Sequence, residues 1–191
     1  MTPTVPAAAF LTPDEFLAKY GDCSGVELVR GRVVWSGEVP ATGDSAVPKF
    51  RHGVTCVKAS RLIGDFVAAH DLGWVASHDT FVRTTASVRG ADVLFVSYAK
   101  VPKGKAPEEL TVPPDLVVEV KSPTDKNAEL FEKIGEYLAV GVTAVLVLDP
   151  RLAAATVYRN DELPQVMHNG DELAIPDVLP GFAVPVKAFF E

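Results

Sequence analysis

The chain has 191 residues, 48% of them hydrophobic and 23% charged, and a formal net charge of −7. That length and composition exclude a disordered polypeptide and suit one globular domain with a substantial core. No apolar run approaches the roughly 18 residues needed to cross a membrane. The acidic balance means that any nucleic-acid contact must rest on a local basic patch or on a metal ion.

The first ten residues, MTPTVPAAAF, lack the positive residues and apolar core of a signal peptide. Residues 1–11 read as a short flexible leader to a single domain over 12–191. Cys23 and Cys56 show neither metal-type spacing nor a framework of pairs, which points to a reducing cytoplasm. His52, His70, His78 and His168 are scattered, and no Walker loop, G-x-G-x-x-G or G-x-S-x-G occurs.

Thr12-Pro13-Asp14-Glu15 is a helix start, with Thr at the cap, Pro next and Glu at the third position. This helix should end near Tyr20, before Gly21. VELVRGRVVW predicts two short strands turning at Arg30-Gly31, and the Gly- and Pro-rich stretch from Ser36 to Lys49 predicts a mobile loop. From His52 to His70 apolar residues recur at helical spacing. Three β-like segments follow, WVASH, TFVRTT and ADVLFVS, and then a Lys- and Pro-rich loop over Tyr98 to Pro113. PDLVVEV is a buried strand. A helix over about Asp125 to Val140 is closed by Gly141, and TAVLVLD has the continuous apolar run of a strand buried on both faces. TVYRN is another strand, and the tail from Leu179 looks extended and then packed. The core order of helix, three strands, helix and strand defines an α/β fold, a mixed sheet with helices on both sides.

PDLVVEVKSPTDK contains the first chemical signal. Alternation along a strand places Asp115, Val117, Glu119 and Lys121 on one face, and a carboxylate buried there needs a partner or a cation. Asp92 opens a second apolar run 27 positions earlier. Carboxylates on neighbouring strands about 4.8 Å apart can share one divalent ion, and oxygen ligands favour Mg²⁺ or Mn²⁺. Asp115 is a poorer partner, about 13 Å from Glu119 along the same strand. Lys121 would reach the same place, to position a water or stabilise developing negative charge. Without a cation these carboxylates would repel one another and raise at least one pKa.

Asp92 with Glu119-Val120-Lys121, set on strands between two helices, resembles the PD-(D/E)XK nuclease superfamily. ELVRGRVV, PDLVVEVKSPTDK, EKIGEYLAVGVTAVLVLDP, TVYR and LPGF follow one another in the order seen in the Uma family of restriction endonuclease-like proteins. The resemblance runs from Thr12 nearly to the end of the chain. It implies a restriction endonuclease-like core with an N-terminal helix and hairpin, Mg²⁺-dependent hydrolysis of DNA, and a homodimer, since one domain offers little surface to enclose a duplex. Asp92 and Glu119 would be the metal ligands, Lys121 the catalytic lysine and Glu27 a further acidic residue. His52 matches a recurrent histidine of the family.

Two departures qualify this pattern. Ala91 stands where the motif has proline, and many relatives lack the strand lysine but keep a helix lysine that matches Lys133. Two lysines therefore compete for one role, and Lys121 is preferred. Lys133 could instead pair with Glu129 along its helix. Lys100, Lys103 and Lys105, with Arg51, Lys58 and Arg61, are the candidate phosphate contacts. The competing reading is a catalytically inactive nuclease fold that binds nucleic acid or serves in assembly. A glycosidase-like carboxylate pair is more distant, because Lys121 lies beside it and the loops lack aromatic residues.

Overall fold

The computed structural model describes residues 10–35, 50–122 and 126–191. The expected leader up to residue 9 and the loop expected over 36–49 lie outside them. The first helix, α1 (Pro13–Tyr20), begins as its sequence dictates. The Thr12 side chain accepts the Glu15 N–H, and the Glu15 carboxylate accepts the Thr12 N–H at 2.8 Å. Leu11, counted with the leader in the sequence, donates its N–H to the Gly31 carbonyl at 2.8 Å. Gly31 closes the hairpin of β1 (Val26–Val29) and β2 (Arg32–Trp35). Arg30 and Gly31 have φ of 48° and 81°, the left-handed pair that a two-residue hairpin loop requires.

Helix α2 (Phe50–Ala69) leads into β3 (Gly73–Arg83) and β4 (Val88–Ser97), a long antiparallel pair. WVASH and TFVRTT, expected as separate segments, are one strand, β3, interrupted by a bulge. Ser77 pairs with Val93 and Thr80 with Ala91, so His78 and Asp79 together oppose Asp92. Their φ values of 71° and 55° place two consecutive non-glycine residues in the left-handed region. Gly90 makes room for this, since a Cβ there would meet the Asp79 Cβ at 3.1 Å and Cα at 3.3 Å.

The chain then forms β5 (Leu116–Val120), α3 (Asn127–Ala139) and β6 (Ala144–Asp149), a crossover whose two strands are parallel. Next come β7 (Ala154–Tyr158) and β8 (Gln165–Met167), both antiparallel to their neighbours. The sheet order is β2-β1-β4-β5-β6-β7-β8, with β3 on the other edge of β4. A small hairpin of β9 (Glu172–Ala174) and β10 (Ala183–Pro185), which the sequence did not signal, precedes a 3₁₀ turn over Val186–Phe189.

Helices cover both faces, as the buried runs of β5 and β6 require. On one side Ala59, Ile63 and Val67 of α2 pack with Val118, Val120, Leu146 and the C-terminal Phe182 and Phe189. On the other, Ile134 and Tyr137 of α3 pack with Val117, Val145 and Val147. A third cluster joins Phe16 of α1 to Val26, Leu28 and Val88. Each such side chain contributes about 1.5–3 kcal/mol on burial, so these clusters set the positions of the helices against the sheet.

The sheet has a gap beside β4. One edge of β4 is paired along its length with β3, but the other edge meets β1 only at Val88 and β5 only from Val93 to Phe95. Between these contacts, residues 89–92 face neither strand. At Asp92 the β3 edge is bulged as well.

Candidate active site

Side chains satisfy the backbone that this gap leaves open. Gly90 donates its N–H to Glu27 Oε1 at 2.9 Å, and its carbonyl accepts from Lys133 Nζ at 2.7 Å. Lys121 of the next turn directs its N–H to the Leu148 carbonyl of β6, so the N–H of Val120 faces β4. Asp92 Oδ2 accepts it at 2.7 Å. The carboxylates of β1 and β4 thus stand where ladder hydrogen bonds would otherwise run.

Glu119 is the buried centre of the group, with only 6% of its surface exposed. Its Oε2 lies 3.0 Å from Lys133 Nζ and its Oε1 accepts from the Tyr137 hydroxyl at 2.9 Å. Burial, opposed by Lys133 and reinforced by the Asp92 charge, pushes its carboxyl up to about 7. Burial alone would weaken the Lys133 ammonium, but Glu119, Glu27 and Asp92 outweigh it and hold its pKa above the ordinary lysine value. The asymmetry has a geometric cause. Lys133 serves three oxygens, including Glu27 Oε1 at 3.3 Å, whereas Glu119 shares its cation with a second carboxylate.

Asp92 behaves differently. Burial raises its pKa, but His52, 3.4 Å away through Nε2, the Val120 N–H and Lys133 together bring it below the usual carboxylate value. The hydrogen bond to Asp92, with a smaller contribution from Cys56, raises His52 to about 10. Of the two carboxylates Glu119 therefore has the raised pKa, chiefly through burial, and Asp92 the lowered one. Asp79, on the bulge, is raised by burial and then by the charge of Asp92.

The structure brings together Glu27, Asp92, Glu119 and Lys133, with His52 against Asp92. It places Lys121 elsewhere: its ammonium lies 3.6 Å from Asp149 Oδ2, at the end of β6. β5 ends at Val120, and the next residue leans towards the strand parallel to it. Glu129 pairs with Lys126 at 3.2 Å, which leaves Lys133 to turn inward. Asp115 accepts the Ser97 N–H at 2.7 Å and pairs with Lys100 at 3.0 Å, away from Glu119. Lys103 is held by Asp71, while Arg61 borders a cleft of about 740 Å³ that Asp92, His52 and Asp79 also line.

Sequence reading missed Tyr137, Arg89 and Asp79. Tyr137 follows Lys133 by four residues, so both lie on one face of α3, a spacing visible in the chain. Arg89, 6% exposed, bonds Glu136 at 2.7 Å and approaches Glu27 at 3.4 Å, bracing the group from β4. Asp79 had no sequence signal, because only the pairing of β3 with β4 creates its bulge.

Carboxylate and carbonyl oxygens suit a hard divalent ion. The positions of Glu119 Oε2, Glu27 Oε1 and the Gly90 carbonyl around the Lys133 ammonium show oxygens already gathered about positive charge. Asp92 adds a carboxylate from the adjacent strand.

The mixed sheet flanked by helices is the nuclease-like α/β fold. The same fold occurs in the crystal structure of a putative nuclease belonging to DUF820 from Anabaena variabilis, with a TM-score of 0.79 and 17% identity, covering 94% of this chain and 97% of that one. The chain belongs to the Uma2 family, described as "Putative restriction endonuclease", whose model matches residues 25–187. Among curated proteins none matches it. No helix among the described residues is long and apolar enough to cross a membrane.

Proposed function

We propose that the protein is a metal-dependent endonuclease that hydrolyses phosphodiester bonds in DNA, with residues 12–191 acting as one domain. The observation that carries this reading is the Lys133 ammonium held between Glu119, Glu27 and the Gly90 carbonyl, in a sheet gap that also presents Asp92. Asp92 and Glu119 would hold Mg²⁺ or Mn²⁺, which when bound polarises a phosphoryl oxygen and acidifies a water.

The chain's own groups supply the rest. Lys133 keeps its proton and offers positive charge to the oxygens on which negative charge develops. Tyr137 and Lys133 fix the two oxygens of Glu119, and His52 orients Asp92. Glu27 holds Lys133 and the Gly90 N–H in register. Lys121, paired with Asp149, is the weaker candidate for the ammonium role. Arg61, on the rim of the cleft, is a phosphate contact for an otherwise acidic protein. Two copies would together enclose a duplex, and the two free thiols, Cys23 and Cys56, fit a cytoplasmic setting.

The test is cleavage of single- and double-stranded DNA with Mg²⁺ or Mn²⁺, and with a chelator. Ion-dependent products that disappear in Glu119→Gln support the reading, and intact DNA under every ion condition overturns it. The net charge of −7 favours the second reading, a nuclease fold that binds or assembles without cleaving. Binding without products would select it.

A further inference from the structure

The flank of Asp92 that faces α2 carries a second set of ligand atoms. His52 and Cys56 stand four residues apart on α2, so both project from one helix face. Cys56 Sγ lies 3.5 Å from His52 Nδ1 and 4.0 Å from Nε2, and His52 Nε2 lies 3.4 Å from Asp92 Oδ2. Among the described residues, these three form the one group of His, Cys, Asp or Glu side chains whose donor atoms all lie within 4.8 Å of one another. All three line the cleft of about 740 Å³.

We propose that His52, Cys56 and Asp92 form a three-ligand site for a borderline divalent transition ion of the Zn²⁺ and Co²⁺ class, open to that cleft. The set offers one nitrogen, one sulfur and one oxygen. Bonds of about 2.0–2.3 Å in a tetrahedron place ligand atoms about 3.3–3.7 Å apart. Through Nε2, the nitrogen facing Asp92, His52 lies 3.4 Å from Asp92 Oδ2 and 4.0 Å from Cys56 Sγ, a little wider than a closed site. Small side-chain rotations therefore suffice to close the site on an ion. Softness sets the selectivity: thiolate and imidazole suit Zn²⁺ and Co²⁺, whereas Mg²⁺ prefers oxygen. Three protein ligands leave a fourth position, and the cleft leads to it. Asp79 and His78, across the bulge, border the same space without belonging to the compact trio. Because the thiol and imidazole must give up protons to bind, ion uptake releases protons.

This site shares Asp92 with the proposed nuclease centre, but its test reads no cleavage, so the two readings can fail separately. Metal-free full-length protein is titrated with Co²⁺ alone and followed by absorbance. One equivalent should produce a near-ultraviolet thiolate-to-cobalt band that is absent in Cys56→Ser and present in Cys23→Ser. His52→Gln should weaken Co²⁺ binding by about tenfold or more. Should Cys56→Ser fail to fold, the wild type answers alone: Zn²⁺ should slow alkylation of Cys56 and leave Cys23 reactive. A wild type without the band, a band that survives Cys56→Ser, or alkylation of Cys56 unaffected by Zn²⁺ overturns the proposal.

Discussion

Lys133 Nζ lies 3.0 Å from Glu119 Oε2, and the two residues reach each other from the inward face of α3 and the penultimate position of β5. Neither end of this pair is exposed, so each residue depends on the other for its charge. A buried ion pair of this kind is weak evidence for stability, because desolvation offsets most of the attraction. Its position beside Asp92 in a break of the sheet fits the proposed reaction.

The lysines can be separated by kinetics. Lys133→Ala should lower DNA turnover by about 10²-fold or more, while Lys121→Ala should leave it nearly unchanged. Removing Lys133 also strands a buried carboxylate, at a cost of about 3–5 kcal/mol. Rates should therefore be measured well below each variant's melting temperature. If Lys121→Ala is the more damaging change, the strand lysine holds the role despite its pairing with Asp149.

Divalent ions should stabilise the folded protein by mass action, by about 2.7 kcal/mol at a hundredfold excess over Kd. Asp92→Asn should lose most of this shift with Mn²⁺ in a thermal melt. Metal-free Asp92→Asn should also melt below wild type, because the carboxylate that holds the His52 imidazolium is gone. An undiminished Mn²⁺ response in the variant would remove Asp92 from the ion site.

Between about pH 4.5 and 10, Glu119 and His52 should make the metal-free protein less stable as pH rises. Glu119 ionises near 4.5 in the unfolded chain and near 7 in the fold, so the fold holds that proton more tightly and loses stability across this window. His52 moves from 6.5 to about 10, so its contribution is complete below pH 6.5 and is lost as pH rises through 10. In the presence of a chelator, His52→Gln should flatten the upper limb of the melting-temperature profile and Glu119→Gln the lower. A wild-type profile that rises from pH 6.5 to 10 would contradict the His52–Asp92 pairing.

Gly90→Ala tests the bulge. The new Cβ meets the Asp79 backbone and Cβ within 3.3 Å, and overpacking against a backbone costs about 1–3 kcal/mol. The melting temperature should drop, and the hydrogen bonds of Gly90 to Glu27 and Lys133 should be displaced with it. DNA cleavage should fall further in Gly90→Ala than in an exposed substitution that lowers stability equally. Equal losses in the two variants would assign Gly90 to packing alone.

Local chemistry and periodicity were enough to read α1 with its capping box, the Arg30-Gly31 hairpin, α2, α3 with Gly141 at its end, and the doubly buried β6. Each depends on residues a few positions apart, where propensity and alternation act directly. Asp92 and Glu119 stood out for the same reason, since a carboxylate inside an apolar strand is conspicuous in sequence. Tertiary structure decided the rest. Whether Lys121 or Lys133 meets Glu119 depends on where β5 stops and how α3 rotates to bury Ile134 and Tyr137, which no spacing within β5 encodes. The bulge at His78-Asp79 and the gap between β1 and β5 exist only because β4 pairs with three strands at once. Pairing between segments remote in the chain sets that register, so Asp79, His52 and Cys56 became neighbours of Asp92 only when the sheet closed around them.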